Sequence, residues 1–345
     1  MEVTRDRAQE KVTLDHVAAA VGVSRAAASL ALRGLPGVSD RTRRRVVAAA
    51  ADLGYESPSP LRSKTERSSV AVLIKSREGD HGRTNAFYGP VTAGITAECS
   101  AADLEVRMDS LPVDDASNPL GVPRLLREGS ADGFIVLGAY ITEATAALFS
   151  DVPVVLVDGY AHRPFSVASV VTDNTGGAYQ ATRHLIARGH RSVAFVGSTP
   201  TSFPSIRHRR DGYDQAMIEA GLEPWHVDAP HYEPDVSAGV IVDELVGDRR
   251  PTGVVASNDA VAISVMSGLI DRGLDLPRDM SIVGFDDIEA AALVRPRLDT
   301  VAVDKPAMGR LSVSLLRHRM ENPSDPSFVV TQATRLIARD SVSPV

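Results

Sequence analysis

Residues 12–55 read VTLDHVAAAVGVSRAAASLALRGLPGVSDRTRRRVVAAAADLGY, and they decide the fold of the front of the chain. The apolar residues of Leu14–Val21 recur at the spacing of one helical face. Gly22 suits the left-handed conformation that ends a helix, and Ser24 is a favourable cap for the next helix. Two short helices around a tight turn form a helix-turn-helix, which places its second helix in a DNA major groove. The alternative is a three-helix packing unit without a nucleic-acid role.

A third helix follows, with Ser39 as its predicted cap. The residues expected to face the interior of this unit are Ala28, Leu32, Val46, Ala50 and Leu53. The residues of the second helix expected to face outward are Arg25, Ala26, Ser29 and Arg33. Outward arginines and small polar side chains are the groups that contact phosphates and base edges.

The charge distribution favours DNA binding over simple packing. The whole chain has a formal net charge of -7, but its first 67 residues hold 12 Lys+Arg and 8 Asp+Glu. The net charge is therefore +4 in this head and −11 in the remainder. A basic head on an acidic body is typical of a protein whose DNA contacts are confined to the head. Ser24, Ser39 and Thr42 add small polar donors for phosphates.

Length and composition limit the remaining possibilities. A chain of 345 residues suggests about two or three domains. The single cysteine, Cys99, cannot form a disulfide within the chain. No stretch approaches the ~20 apolar residues that span a bilayer, and the N-terminal MEVTRDRAQEK lacks the apolar core of a signal peptide. We therefore expect a cytoplasmic protein.

Strands and helices alternate from Ser69 onward, in two successive series. Strands are predicted at residues 70–74, 104–108, 134–137, 154–157, 193–196, 253–256 and 281–285. Helices are predicted at residues 87–101, 120–127, 143–149, 175–187, 205–220, 236–246, 260–272 and 305–320. Continuous apolar strands between helices indicate parallel sheets that are covered on both faces. The body is therefore predicted to contain two α/β subdomains.

Polar residues follow several of these strands, where parallel sheets bind ligands. They are Asp158, Ser198, Asn258, Asp259, Asp286 and Asp287. Carboxylates and amides offer paired hydrogen-bonding positions that suit vicinal hydroxyls. Asp and Asn are also favoured helix caps. We prefer the cap interpretation for Asp259 and Asp287, and ligand contact for Asn258 and Asp286.

Ordered motifs along almost the whole chain resemble the LacI family of transcriptional repressors. The head matches VTLxxVAxxxGVSxxxxSxxL followed by VSxxTRxRVxxAAxxLGY, and residues 184–197 match HLxxxGHRxIAFxG. Further matches lie at Asn85–Tyr88, at Arg209 with Gly212-Tyr213, at Ser257-Asn258-Asp259 and at Val283–Asp287. Each motif alone is weak, but their order in one chain is specific.

The resemblance implies an all-α helix-turn-helix head and an α/β body of two lobes with parallel sheets, similar to periplasmic sugar-binding proteins. The implied parts are a DNA-binding domain at residues 1–56, a hinge at 57–67 and an effector-binding domain at 68–345. Within that domain, the N-lobe is expected at about 68–170 plus 303–325. The C-lobe is expected at about 171–302 plus 326–345.

The resemblance also implies a function. The expected protein is a homodimeric repressor that binds a near-palindromic double-stranded DNA operator. A small-molecule effector, expected to be a carbohydrate, would bind between the lobes and change the geometry of the paired heads, which is allostery. A nucleobase or a partner protein remains an alternative effector, and the residues do not distinguish an inducer from a corepressor. No cofactor is implied.

Site residues are carried over from the family motifs one by one. Effector contacts are expected at Phe87, Tyr88, Asp158, Arg209, Tyr232, Asn258 and Asp286. Core packing is an equal alternative for Phe87. DNA contacts are expected at Thr13, Ser24, Arg25, Ala26, Ser29, Arg33, Ser39, Thr42, Leu61, Arg62 and Lys64.

Two regions depart from the family pattern. Leu30 stands where arginine is frequent and Arg33 where asparagine is common, so a different base preference is expected. The hinge contains Pro58 and Pro60, which disfavour a helix at its start, and Lys64 replaces the leucine that wedges into the minor groove. The loop at residues 76–84 is longer than usual, and we interpret it as a surface insertion.

Enzymatic motifs are missing from the sequence. Neither GxSxG nor the phosphate-cradling GxxxxGK[ST] occurs. His184 and His190 lack a third ligand at the spacing of a metal site. The sequence therefore predicts a regulator rather than an enzyme, without a metal centre.

Overall fold

The computed structural model describes residues 12–32, 38–53, 55, 68–77, 86–162, 165–229 and 234–345. The chain divides into two compact units, the head at Met1–Glu66 and the body at Arg67–Val345. Several predicted features lie outside the described residues. These are the hinge at 57–67 with Leu61, Arg62 and Lys64, most of the 76–84 loop, and the single residues Arg33 and Tyr232.

The head contains helices α1 (Leu14–Val21), α2 (Arg25–Leu32) and α3 (Asp40–Asp52). Gly22 ends α1 in the left-handed conformation, at φ 68°. The Ser24 hydroxyl accepts a hydrogen bond from Ala27 N at 3.1 Å, and the Ser39 hydroxyl accepts one from Thr42 N at 3.3 Å. The predicted turn and both predicted caps are therefore confirmed.

A small apolar core joins the three helices of the head. Its buried residues are Val17, Ala18, Val21, Ala28, Ala31, Val46 and Ala50. The prediction that Leu53 is buried was wrong, because Leu53 follows the end of α3 and is 40% exposed, whereas Tyr55 packs against the core. Arg45 of α3 donates a hydrogen bond to Val21 O at 2.9 Å, which satisfies a carbonyl at the end of α1.

The body follows the predicted alternation of strands and helices. Its first series comprises β1 (Ser69–Ser76), α4 (Tyr88–Ala101), β2 (Glu105–Pro112), α5 (Arg124–Glu128), β3 (Gly133–Leu137), β4 (Tyr140–Ile141), α6 (Glu143–Leu148), β5 (Val154–Val157), β6 (Tyr160–Ala161) and β7 (Ala168–Thr172). Its second series comprises α7 (Asn174–Ile186), β8 (Val193–Ser198), α8 (Pro204–Glu219), β9 (His226–Asp228), α9 (Pro234–Leu245), β10 (Gly253–Ala256), α10 (Asp259–Asp271), β11 (Ser281–Asp286), α11 (Glu289–Leu293) and β12 (Asp299–Ala302). The chain continues with α12 (Lys305–Glu321), β13 (Val329–Gln332) and β14 (Arg335–Ile337).

Two six-stranded sheets define the two lobes. The N-lobe sheet has the order β13-β7-β5-β3-β1-β2, and the C-lobe sheet has the order β14-β12-β11-β10-β8-β9. Every pair in these sheets is parallel except β12 with β14. The predicted two-lobed α/β fold with parallel sheets is confirmed.

The predicted lobe boundaries need two corrections. Residues 326–345 were expected in the C-lobe, but β13 pairs with β7 in the N-lobe sheet, and the C-lobe resumes at β14. The first crossover follows Thr172 rather than residue 170, because β7 extends to that residue. Short edge strands carry no local signal of the sheet that they join, since the pairing is decided by residues far away in sequence.

Close helix packing stabilises both lobes. A Cβ atom on Gly212 of α8 would lie 2.1 Å from Thr175 O of α7, and one on Gly94 of α4 would lie 2.1 Å from Pro306 O of α12. The two clashing atoms are main-chain carbonyl oxygens, which cannot rotate away as the end of a side chain could. The two helix pairs therefore approach at a distance that only glycine permits.

We predict that Gly212→Ala destabilises the body by about 1–3 kcal/mol, because the added methyl group forces α7 and α8 apart. The matched control is Gly239→Ala in α9, where no atom lies within 4 Å of the added Cβ. That control should stabilise the protein by up to about 1 kcal/mol, through helix propensity alone. Urea unfolding measures both, and equal midpoints for the two variants would contradict the close crossing.

Asp259 fixes the chain that follows β11. Its fully buried carboxyl group accepts a hydrogen bond from Ile288 N at 2.9 Å and bonds to the Thr300 hydroxyl at 2.5 Å. Burial, together with the negative charges of Asp286 and Asp287, raises the pKa of Asp259 to about 8, against the lowering effect of its hydrogen bonds with Thr300 and Ile288. The group therefore retains a proton in the folded protein at neutral pH.

This proton makes stability depend on pH. Between about pH 4, where an unfolded aspartate ionises, and about pH 8, the folded state holds one more proton than the unfolded state. Stability should therefore fall as the pH rises through this window. Asp259→Asn removes the titration and keeps the hydrogen bonds to Ile288 and Thr300. At about 1.4 kcal/mol per pH unit over about four units, it should flatten the profile by about 6 kcal/mol.

Denaturant unfolding of the full chain at several pH values measures this effect. The control is Asp271→Asn, an exposed position on the same helix, and it should leave the slope between pH 4 and 8 as in the wild type. An Asp259→Asn profile that is parallel to the wild-type profile would rule out a protonated Asp259.

Candidate functional site

Four of the seven predicted effector residues meet at the carboxyl ends of the strands in the body. Asp158 follows β5 in the N-lobe, and Asp286 ends β11 in the C-lobe. Tyr88 Oη donates a hydrogen bond to Asp158 Oδ2 at 3.0 Å, and an Arg209 guanidinium nitrogen lies 2.9 Å from Asp286 Oδ1. The charges of Arg209 and Asp286 both act on Asp158, so the cluster spans the two lobes electrostatically.

Arg209 is the centre of the C-lobe half of the cluster. It is only 4% exposed, and its guanidinium lies 3.7 Å from the centre of the Phe285 ring. Its Nε donates to Asn174 Oδ1 at 2.8 Å, and a terminal nitrogen donates to Ser257 O at 2.7 Å. A buried guanidinium has five N–H donors and therefore needs several acceptors, which Asn174, Ser257 and Asp286 supply here.

Asn174 was not among the predicted site residues, although it joins the cluster. It is 1% exposed and begins α7, directly after β7. Its amide donates to Tyr160 Oη at 3.2 Å as well as accepting from Arg209. The strand-end rule would have identified Asn174 if β7 had been predicted as a strand.

The N-lobe half of the cluster depends on an unusual backbone and on a glycine. Asp158 has φ 47°, in the left-handed region. Burial raises the pKa of its carboxyl group to about 6, against the opposing effects of Arg209 and the Tyr88 hydroxyl. Burial and the Asp158 charge also raise the pKa of Tyr88. A Cβ atom on Gly138 would lie 2.2 Å from Tyr88 Oη, so glycine is required at this position for the tyrosine to fit.

Asp286 also has an unusual backbone, with φ 109°. Burial raises the pKa of its carboxyl group, and Arg209 and Lys305 oppose this effect. The ammonium group of Lys305 donates hydrogen bonds to the carbonyls of Asp286 and Asp287. Lys305 was not predicted as a site residue, because its position as the first residue of α12 carries no motif.

Aromatic rings bridge the lobes beside this cluster. The Tyr160 ring of the N-lobe lies 5.6 Å from the Phe203 ring and 5.6 Å from the His208 ring of the C-lobe. The Lys75 ammonium at the end of β1 lies 4.9 Å from the centre of the Phe203 ring. None of these residues was predicted, since single aromatic residues have no periodic pattern.

Two further predicted effector residues, Phe87 and Asn258, have structural roles, and Tyr232 lies outside the described residues. Phe87 is 7% exposed and belongs to the main hydrophobic core, as the alternative interpretation predicts. Asn258 Oδ1 caps α10 by accepting from Val261 N at 2.9 Å. The cap interpretation was wrong for Asp259 and Asp287, because Asp259 bonds to Ile288 and Thr300 and Asp287 forms an ion pair with Arg339.

The head presents one predicted base-contacting arginine on α2. Arg25 is exposed, and its guanidinium lies 3.5 Å from Asp15. Ser29 is half-buried in the middle of the same helix, and Thr13 is exposed before α1. Ala26 lies in α2, and its side chain is outside the described part of the structure.

The side chains predicted to donate to phosphates act at helix N-termini in the protein. The Ser24 and Ser39 hydroxyls accept main-chain hydrogen bonds at the starts of α2 and α3. Thr42 Oγ1 lies 2.9 Å from Ser39 Oγ. The exposed residues Arg41 and Arg44 on α3 add positive charge that was not assigned to the site.

Two negative findings hold for the described residues. Among them, no group of three or more His, Cys, Asp or Glu side chains is arranged to hold a metal ion. No described helix is long and apolar enough to cross a membrane.

Comparisons with known proteins match both units of the chain. The model of the bacterial regulatory proteins of the lacI family matches residues 13–58, and the model of a periplasmic binding protein-like domain matches residues 182–342. Together the two models cover more than half of the chain.

Named relatives agree with these matches. The ribose operon repressor of Haemophilus influenzae is 27% identical over 338 residues, which cover 96% of this chain and 98% of the relative. A LacI family transcriptional regulator from Enterococcus faecium, solved with bound ribose, is 25% identical with a TM-score of 0.69, covering 80% of this chain and 99% of that one.

A third comparison supports the fold of the whole chain. The lac repressor dimer bound to operator has the same fold, with a TM-score of 0.67 at 21% identity, over 97% of this chain and 100% of that one. The sequence relative named above is a repressor, so the expectation of a regulator rather than an enzyme is confirmed. The helical head, the two-lobed body and these relatives lead to one conclusion: the chain belongs to the LacI family of DNA-binding transcriptional regulators.

Proposed function

We propose that this regulator is a homodimeric repressor that binds a near-palindromic DNA operator through α2. The same protein binds a neutral sugar between the two lobes of its body. The observation that carries the proposal is the buried cluster of Tyr88, Asp158, Arg209 and Asp286, which draws on both lobes. A ligand that bonds to both halves of this cluster changes the balance between open and closed lobes. Such a change alters the geometry of paired heads and therefore the affinity for DNA.

The chemistry of the cluster supports a sugar. Each of the two carboxylates can accept hydrogen bonds from two adjacent hydroxyl groups, and the guanidinium can donate to two. The rings of Tyr160 and Phe203 lie beside them and offer apolar faces for the C–H side of a sugar ring. An anionic ligand would add a further negative charge near Asp158 and Asp286, which disfavours it. The Enterococcus faecium relative with bound ribose agrees with this choice.

The head supports the DNA half of the proposal. The exposed Arg25 at the start of α2 has the length and the donors for a bidentate contact with guanine in the major groove. Main-chain N–H groups at the starts of α2 and α3, next to Ser24 and Ser39, suit phosphate oxygens. Because its target is chromosomal DNA, we place the regulator in the cytoplasm.

We predict that a thermal-shift panel of neutral monosaccharides, disaccharides and nucleobases identifies a sugar that raises the melting temperature of the full chain. Arg209→Lys and Asp286→Asn should each weaken its binding at least about 10-fold, which corresponds to about 1.4 kcal/mol. The lysine cannot reproduce the fork of bonds that Arg209 makes.

The matched control is Arg210→Lys, the next residue on the same helix. Arg210 pairs with Asp228 at 2.7 Å rather than with the cluster. Its substitution should leave sugar affinity within about twofold of the wild type, as surface pairs contribute little. If a nucleobase raises the melting temperature and no sugar does, the effector is a nucleobase and the proposal of a sugar is wrong.

DNA recognition is tested by selecting duplexes from a random library with the full chain. We expect a near-palindromic sequence, and Arg25→Ala should weaken its binding by about 1–3 kcal/mol and relax one base position in each half-site. The control is Arg124→Ala on α5 of the body, where the arginine pairs with Glu128 at 3.2 Å. Equal affinity of the wild type and Arg25→Ala for the selected duplex would exclude this base contact.

Adding the sugar should change the affinity of the full chain for the selected operator, as reciprocal coupling requires.

A further inference from the structure

We propose that Lys305 is a positioning residue, whose buried ammonium group clamps the end of β11 and so sets the orientation and charge of the Asp286 carboxylate. This inference rests on the sugar site proposed above, and it adds a residue that belongs to no recognised motif of this chain. Its test is chosen to work without an effector.

Lys305 makes contacts that are unusual for a lysine. The residue is 6% exposed, and its ammonium nitrogen donates to three main-chain carbonyls. These belong to Asp286, to Asp287 at 3.0 Å and to Val303 at 3.4 Å. An ammonium group has three donors, so the protein satisfies all of them without a carboxylate partner. A buried charge of this kind is retained only where its surroundings hold it closely.

Two of the three carbonyls that Lys305 binds, those of Asp286 and Asp287, belong to a strained segment. Asp286 has φ 109° and Asp287 has φ 52°, two successive non-glycine residues in the left-handed region. Such conformations persist only where contacts over-determine them. Here Asp259 holds the following main-chain N–H at Ile288, and Lys305 holds the two carbonyls. Loss of the Lys305 contacts therefore frees the backbone that aims the Asp286 carboxylate at Arg209.

The clamp also connects the two lobes. Lys305 is the first residue of α12, a helix of the N-lobe, whereas Asp286 ends a strand of the C-lobe sheet. The start of α12 contacts α4 closely, because a Cβ atom on Gly94 would lie 2.1 Å from Pro306 O. Helix α4 begins at Tyr88, which bonds to Asp158. Both carboxylates of the cleft are thus tied to one rigid pair of helices.

The position of Phe87 agrees with this role. The Lys305 ammonium lies 6.0 Å from the centre of the Phe87 ring, within the range of a cation–π interaction. Phe87 precedes Tyr88 at the start of α4 and is buried. Its packing therefore encloses the clamp and excludes water from it.

Several charged and titratable groups face Asp286 from the elements around it. They are Arg209 of α8, Lys305 of α12, Asp259 of α10, Asp158 after β5, Tyr88 of α4 and the adjacent Asp287. Arg209 and Lys305 are the two that lower the pKa of Asp286 against the effect of burial. Removing the Lys305 charge leaves Arg209 to oppose burial alone, so the carboxyl group should hold its proton to a higher pH.

The experiment measures this titration directly. The full chain is labelled with 13C at the aspartate carboxyl carbons, and the Asp286 resonance is assigned by its loss in Asp286→Asn. In Lys305→Met and Lys305→Gln, we expect the midpoint to rise by roughly one pH unit, the effect of one nearby charge. Lys305→Arg keeps the positive charge and should return the midpoint toward the wild-type value.

The control is Arg310→Gln, which removes an exposed positive charge from the same helix, α12. It should leave the Asp286 midpoint unchanged. An unchanged Asp286 midpoint in folded Lys305→Gln would overturn the proposal, as would a midpoint in Lys305→Arg as high as in Lys305→Gln. Failure of every sugar in the panel would remove the proposed effector without altering this titration, so the two proposals fail separately.

Discussion

The burial of the Arg209 guanidinium is the constraint on which the candidate site depends. A charge removed from water must be surrounded by acceptors, and here they come from three separate places in the chain. Asn174 begins α7, Ser257 follows β10, and Asp286 ends β11. The Phe285 ring closes one face of the guanidinium. Because all these acceptors must reach one guanidinium, Arg209 fixes the strand ends of the C-lobe relative to one another.

The carboxylates show why strand ends can hold groups that a core cannot. Asp158 and Asp286 both adopt left-handed backbone conformations, which turn their side chains away from the regular ladder. Tyr88 satisfies one carboxylate and Arg209 the other. A hydroxyl that binds to Asp158 gives up its hydrogen bonds to water, so each such bond contributes little net affinity. Net affinity for a polyol must therefore come from several hydroxyls acting together, and from exclusion of water by Tyr160 and Phe203.

Rigid lobes are needed if a change in the cleft is to reach another part of the molecule. The glycines at 94 and 212 let helices pack at backbone contact within each lobe. Three crossovers join the lobes, between β7 and α7, between β12 and α12, and between β13 and β14. Stiff lobes joined by crossovers are the arrangement in which allosteric proteins move by hinged rotation. Lys305 lies beside the second crossover and contacts both bodies.

Local sequence determined much of this protein. The helical spacing in Leu14–Val21, the turn at Gly22 and the caps at Ser24 and Ser39 depend on neighbouring residues alone, and all of them form as predicted. The alternating apolar runs likewise determined the two parallel sheets, and the strand-end rule found Asp158 and Asp286 because it follows from strand order. Tertiary structure alone decided that β13 joins the N-lobe, that Asn258 caps a helix, and that Asn174 and Lys305 belong to the cleft. Those outcomes depend on partners more than ten residues away in the sequence or on competition between two roles for one side chain, and neither leaves a local pattern to read.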